Sequence, residues 1–162
     1  MSDNQVSIRC VVVGDNGVGK STLIQSYVNN KFIENLEEIT DMPIVEKLRS
    51  ELYVGVDVCI LCYNIANEKS LENIETKWVL EVKDYCPERP YILVGTKGDL
   101  CGELKRRENI ILETEDTNEL AQKISASNHI ICSSMKMVCQ LTLFASLLSF
   151  YHLSFRFTIN NN

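Results

Sequence analysis

Gly14-Asp15-Asn16-Gly17-Val18-Gly19-Lys20-Ser21 spaces a glycine, four residues and then Gly-Lys-Ser, the pattern of a loop that wraps a phosphate chain. Glycines let the backbone curl closely around an anion, and the loop's N–H groups converge on it as a nest. A helix beginning at Lys20 adds its partly positive N-terminus, roughly half an elementary charge. On this reading Asp15, Asn16, Gly17, Val18, Gly19, Lys20, Ser21 and Thr22 line the phosphates. Lys20 reaches the terminal ones and is the candidate catalytic residue, while the Ser21 hydroxyl is placed to ligate a Mg²⁺ that bridges them. The flanks agree. Residues 8–13 are a β-branched apolar run, as a buried parallel strand requires, and Leu23, Ile24, Tyr27 and Val28 recur at helical spacing. A chance glycine-rich turn has no reason to stand between such a strand and such a helix.

The 162 residues amount to one domain by length, with 45% apolar and 23% charged residues, an ordinary balance for an α/β protein. A net charge of −6 argues against a nucleic-acid partner or an acidic membrane surface held electrostatically. Lys105-Arg106-Arg107, flanked by Glu103 and Glu108, reads as a solvated loop face. Seven cysteines are scattered through mostly apolar runs. Cys59 and Cys62 have the spacing of a redox or metal pair, but on a strand residues three apart face opposite sides. Reduced buried thiols are expected, and with them a cytoplasmic location. Met1 to Gln5 lacks the basic and apolar regions of a signal peptide.

In chain order the pattern predicts a helix from 20 to 29 or 30, a loop to about 43, a short helix over 44–52 and a strand over 57–63. A helix over 71–84, capped by Asn67 or Ser70, carries Leu71, Ile74, Trp78 and Val82 as its core stripe. Cys86-Pro87-Glu88-Arg89-Pro90 breaks it. Strands follow at 91–94 and 129–132, with a helix between them from Thr114 or Asp116. Strands alternating with helices predict a mostly parallel sheet covered on both faces, a three-layer α/β fold of the P-loop NTPase kind.

The third strand runs into Val94-Gly95-Thr96-Lys97-Gly98-Asp99-Leu100, at the carboxyl edge where open parallel sheets bind ligands. This Thr-Lys-x-Asp element, downstream of a phosphate loop, resembles the guanine-recognition motif of the small GTPases, and Cys132-Ser133-Ser134 is similar to the family's Ser-Ala element. The resemblance implies GTP or GDP with Mg²⁺ as ligands. Asp99 would accept from the guanine N1–H and exocyclic amine, a pair that adenine does not offer. Lys97 would lie along the base, Thr96 would tie this loop to the phosphate loop, and backbone donors at Ser133 and Ser134 would meet the guanine O6. Lys31-Phe32, Leu48-Arg49, Lys77-Trp78-Val79, Cys86-Pro87 and Tyr91 to Leu100 look like the Rho/Rac branch, and the charged stretch after Asp99 is similar to a shortened form of its insert. Residues 1–153 form one such domain, and 154–162 a polar tail.

The sequence departs from that family between Phe32 and Glu46. Relatives carry there a Mg²⁺-ligating threonine, two strands of about five or six residues each, and Asp-x-x-Gly with a water-orienting glutamine. Here the interval is too short for them and holds neither element, leaving Thr40, with Asp41, as the candidate residual Mg²⁺ contact. Asn16 replaces a glycine of many relatives and would crowd the γ-phosphate and an entering arginine. The fold is thus expected to lack two strands, which would leave the first strand with an unpaired edge. The end of the chain, Thr158 to Asn162, has no prenylation box, so no prenyl attachment to membranes is expected. From Met137 to Phe155 no residue is formally charged, but six polar residues interrupt the run, which reads as a helix packed on the sheet in preference to a membrane-associated segment or a disordered or aberrant end. From Tyr151 to Phe157 apolar and polar residues alternate, an alternative extended form. The leading functional reading is a Rho-like nucleotide-dependent signalling switch with impaired hydrolysis, open to unidentified Rho-type regulators or effectors. The others are a GTPase completed by a partner's water-orienting group, a P-loop nucleotide kinase, and the inactive product of an incomplete gene copy.

Overall fold

In the computed structural model, which describes residues 6–29, 50–101, 114–136 and 155–161, the apolar runs are parallel strands. They are β1 (Val6–Gly14), β2 (Val58–Asn64), β3 (Tyr91–Thr96) and β4 (Asn128–Ile131). Every residue of β3, and of β2 through Tyr63, is buried, as coverage of both faces demands. Helices α1 (Lys20–Asn29), α2 (Glu68–Asn73), α3 (Val79–Tyr85) and α4 (Thr114–Ile124) supply that cover. A π-helical turn, Ile74–Trp78, joins α2 to α3 without a break. A further strand, β5 (Phe155–Asn161), completes the order β4-β3-β2-β1-β5, with every neighbouring pair parallel.

The two-residue period of a strand sorts the core. Cys59, Leu61 and Tyr63 pack with Leu71, Ile74, Trp78, Val79 and Val82 and with Ala121 and Ile124 of α4. Val58, Ile60 and Cys62 face the other way, toward Leu23 and Ile24 of α1. Cys59 and Cys62 therefore lie on opposite faces, and the architecture is three-layer α/β, a truncated form of the P-loop fold. Apolar burial, at roughly 1.5–3 kcal/mol for each fully buried aliphatic side chain, holds these layers. The Lys123–Glu75 pair between α4 and the π turn, 2.6 Å long, is largely exposed, and such pairs contribute roughly 0–1 kcal/mol.

Two boundaries differ from the sequence pattern. The helix over β2–β3 starts at Glu68 rather than 71, because the Asn67 side chain caps it by accepting from the Ser70 N–H. Ser70 is then inside the helix, where its buried hydroxyl accepts from the Asn64 N–H at 3.0 Å and ties the helix to the end of β2. Residues 50–52 are helical; the rest of the expected 44–52 helix, the interval holding Thr40 and Asp41, and the expected helix over 137–155 lie outside the described residues, except for Phe155, which is in a strand.

Residues 154–162, which the sequence pattern reads as a polar tail, differ more. Phe155–Asn161 is a strand that pairs with β1 from Val6↔Phe155 to Val12↔Asn161. β1 is therefore an internal strand rather than the expected open edge. A shortened sheet presents unpaired backbone donors and acceptors along β1, and an extended segment at the end of the chain satisfies them. Deleting residues 155–162 should lower the thermal midpoint by on the order of 10 °C and drive the protein into aggregates, read by scanning calorimetry and light scattering; an unchanged midpoint in a monomeric truncation would contradict this pairing.

Candidate functional site

The carboxyl end of β1 opens into the loop 14–19, and the conformation explains its glycines. Gly14, Gly17 and Gly19 have φ of 151°, 73° and 102°, a region where side chains are strained. A Cβ on Gly14 would also collide with the Cys62 carbonyl, whereas one on Gly17 would meet nothing within 4 Å. Lys20 begins α1, and its side chain turns back over the loop. Its ammonium, on a residue only 8% exposed, donates to the carbonyls of Gly14 and Asp15, each at 2.8 Å. A buried ammonium needs such partners, and these two fix it at the mouth of the loop. Asn16 and Gly17 are exposed, Val18 is buried, and Ser21 and Thr22 are half-buried in the first turn of α1.

A second loop leaves the carboxyl end of β3. Thr96 is buried, and its hydroxyl lies within hydrogen-bond reach of the Val18 carbonyl in the phosphate loop and of the Tyr63 carbonyl, the latter at 3.0 Å. Lys97 takes a left-handed conformation (φ 60°), which turns the chain into the single 3₁₀ turn Gly98–Leu100. The Gly98 N–H donates to the Cys132 carbonyl at 2.8 Å, and the Cys132 N–H donates to Gly95 at 2.6 Å. A third loop, 132–136, is thereby held against the second. The buried Ser133 hydroxyl donates to Asp99 Oδ1 at 2.6 Å and accepts from the Lys136 N–H at 3.1 Å. Ser134 follows, half-buried in the turn. The structure thus brings together Asp15 to Thr22, Thr96, Lys97, Asp99, Ser133 and Ser134 along one edge of the sheet. Thr40 lies outside the described residues.

The sequence pattern assigned Trp78 to packing alone. It is buried, but its indole N–H donates to Asp15 Oδ1 at 2.8 Å, and Asn73 Nδ2 donates to Asp15 Oδ2 at 2.6 Å. Both oxygens of the loop's carboxylate are therefore held from the helix. On a regular α-helix residues five apart point roughly 140° away from each other. The π turn, in which the Val79 N–H reaches the Ile74 carbonyl, brings residues five apart nearly into line. No hydrophobic period announces such a turn; an asparagine and a tryptophan at that spacing, downstream of an aspartate in the loop, were the signal available.

Burial pushes the Cys10 and Cys62 thiols up to about 12 and raises Cys59 and Cys86 as well, with Lys20 slightly opposing the rise at Cys62. Cys10, Cys59, Cys62, Cys86 and Cys101 are free thiols. Cys132 is disulfide-bonded, which departs from the expectation of reduced thiols throughout. His129 accepts from the Tyr63 hydroxyl at Nε2 (2.9 Å) while its Nδ1 faces Asn118 Oδ1 at 2.8 Å. Those partners assign the proton to Nδ1, and burial lowers its pKa. Among the described residues no helix is long and apolar enough to cross a membrane, and no three His, Cys, Asp or Glu side chains gather as a metal site.

A glycine loop, a lysine returned over it and two further loops at the carboxyl edge of a parallel sheet define a phosphate-loop nucleotide-binding protein. The family model for Ras matches residues 9–46 and 44–150. The chain belongs to the Ras family of small GTPases, whose members bind guanine nucleotides, generally with Mg²⁺. The residues present fit such a ligand: a Cβ at Gly17 would meet nothing within 4 Å, the Lys20 ammonium is fixed at the loop, and the Ser21 hydroxyl in the first turn of α1 would be the residue to hold a Mg²⁺.

Two measurements check the buried groups. A histidine kept neutral by burial binds fewer protons folded than unfolded, so stability should fall as pH drops below about 6.5. The urea midpoint of the wild type should therefore decline more steeply between pH 7 and pH 5 than that of His129→Gln; parallel declines would contradict the assignment. At pH 8 a maleimide should label Cys101, half-buried, before Cys10, Cys59 or Cys62, which burial keeps as thiols; peptide mass spectrometry reads the order, and equal labelling would contradict it.

Proposed function

We propose that this protein is a Rho-like guanine-nucleotide switch that holds GDP or GTP with Mg²⁺ and hydrolyses GTP slowly. The observation that carries the proposal is the junction of the phosphate loop and the Asp99 loop at the buried Thr96 hydroxyl. One half of that junction suits a polyphosphate and the other a base with adjacent N–H donors. The Rho branch is supported by Lys77-Trp78-Val79 and by the run from Tyr91 to Leu100. Rho-type regulators or effectors are the expected partners, and the cytosol is the expected location, supported by the free thiols of Cys10, Cys59, Cys62, Cys86 and Cys101 among the described residues, with the Cys132 disulfide standing against it.

Each residue has a part in this reading. Loop N–H groups and Lys20 neutralise the phosphates, Ser21 ligates Mg²⁺, and Asp99, oriented by Ser133, receives the guanine edge. Lys97 covers the base. Nothing between Phe32 and the start of β2 supplies the Asp-x-x-Gly or the glutamine that positions water. Phosphoryl transfer depends on that positioning as well as on charge neutralisation.

Titration with fluorescently labelled GDP, GTP and ATP tests the proposal. Guanine nucleotides should bind roughly ten- to a hundredfold tighter than ATP, since a carboxylate covered by a base that leaves it unpaired costs roughly 1–3 kcal/mol. Asp99→Asn should move the preference toward xanthine nucleotide, whose carbonyl meets the amide's donor. Equal affinities for GTP and ATP would overturn the reading. In single turnover, phosphate release should be far slower than for a small GTPase with an intact glutamine, and release at that enzyme's rate would overturn the hydrolysis claim.

A further inference from the structure

Asp15 places a carboxylate in a loop built for phosphates, where a free anion would repel the ligand. Its two oxygens are instead engaged from the neighbouring helix by Asn73 (2.6 Å) and Trp78 (2.8 Å). The Asp15 carbonyl is one of the two oxygens that hold the Lys20 ammonium. A continuous route therefore runs from the π turn through Asp15 to Lys20. We propose that Asn73 and Trp78 are positioning residues for nucleotide: a clamp that turns the Asp15 carboxylate away from the phosphates and fixes the carbonyl on which Lys20 rests.

The proposal rests on nucleotide binding at this loop and adds residues outside it. The π turn has a purpose in this account. An α-helical course through the same residues would direct Asn73 and Trp78 to different sides, and only one could reach Asp15. Lys77, stacked over the Trp78 ring with its ammonium 4.1 Å from the ring centre, helps to hold the indole in place. Hydrogen bonds to a charged group are among the stronger ones, so losing either donor should be visible in the rate at which nucleotide leaves.

The test is a double-mutant cycle on the full chain. Labelled GDP is chased with excess GDP from wild type, Asn73→Ala, Trp78→Phe and Asp15→Ala, and from Asp15→Ala combined with each of the first two. Asn73→Ala and Trp78→Phe should each speed release roughly tenfold, and neither should add appreciably to Asp15→Ala, because the partner they restrain is then gone. A role in packing alone predicts the same acceleration with and without Asp15. That result, or single variants releasing GDP at the wild-type rate, overturns the clamp. Asn73→Ala, on the less buried side, keeps the test valid where Trp78→Phe fails to fold. Hydrogen exchange of the amides of residues 15–20 in nucleotide-free protein separates the two proposals. If wild type binds no GDP, the functional reading falls, and the clamp still predicts faster exchange at these amides in Asn73→Ala; unchanged exchange overturns it. In the wild type, emission from Trp78, the sole tryptophan, should shift on GDP addition and lose that response in Asp15→Ala.

Discussion

Thr96 ends β3 with a buried hydroxyl at the Val18 carbonyl, while its own backbone runs directly into Lys97, Gly98 and Asp99. One side chain thereby sets the distance between a loop suited to phosphates and a loop suited to a base. Neither loop makes a site for a whole nucleotide alone. The surrounding structure serves that junction. β2 and β3, paired from Cys59↔Tyr91 to Asn64↔Thr96, hold the second loop at the height of the first, and the Gly98–Cys132 hydrogen bond brings Ser133 to Asp99.

Much of this was legible in the sequence because it depends on local chemistry. The glycines of 14–19 are there to adopt positive φ, the apolar runs in β2 and β3 are continuous because both faces are covered, and Asn67 caps the helix that follows. Two features were not legible, for different reasons. The π turn leaves Ile74, Trp78 and Val82 compatible with an α-helical stripe, so periodicity gave no notice that Asn73 would share a target with Trp78. β5 depends on a vacancy elsewhere in the sheet. The alternation from Tyr151 to Phe157 admitted an extended form, but only β1's available edge makes Phe155–Asn161 a strand.

The same two features connect to what the sequence departs from. Between Phe32 and β2 the sequence holds no Asp-x-x-Gly and no glutamine, and the β1 edge is satisfied by residues 155–161. The phosphate loop meanwhile keeps a carboxylate, Asp15, that is tolerable because Asn73 and Trp78 occupy it. On the proposed reading binding and hydrolysis are separable demands on the fold: Thr96 joins the loops that would hold a nucleotide, whereas positioning water is a task for groups outside those loops.

The junction can be tested directly by titrating GDP into wild type and Thr96→Val in a calorimeter. Valine keeps the shape and removes the hydroxyl, leaving the Val18 carbonyl short of a partner at a cost of roughly 1–3 kcal/mol. GDP affinity should fall about tenfold or more, while inorganic pyrophosphate, which needs only the phosphate loop, should be much less affected. Equal GDP affinity in the two proteins would contradict the account.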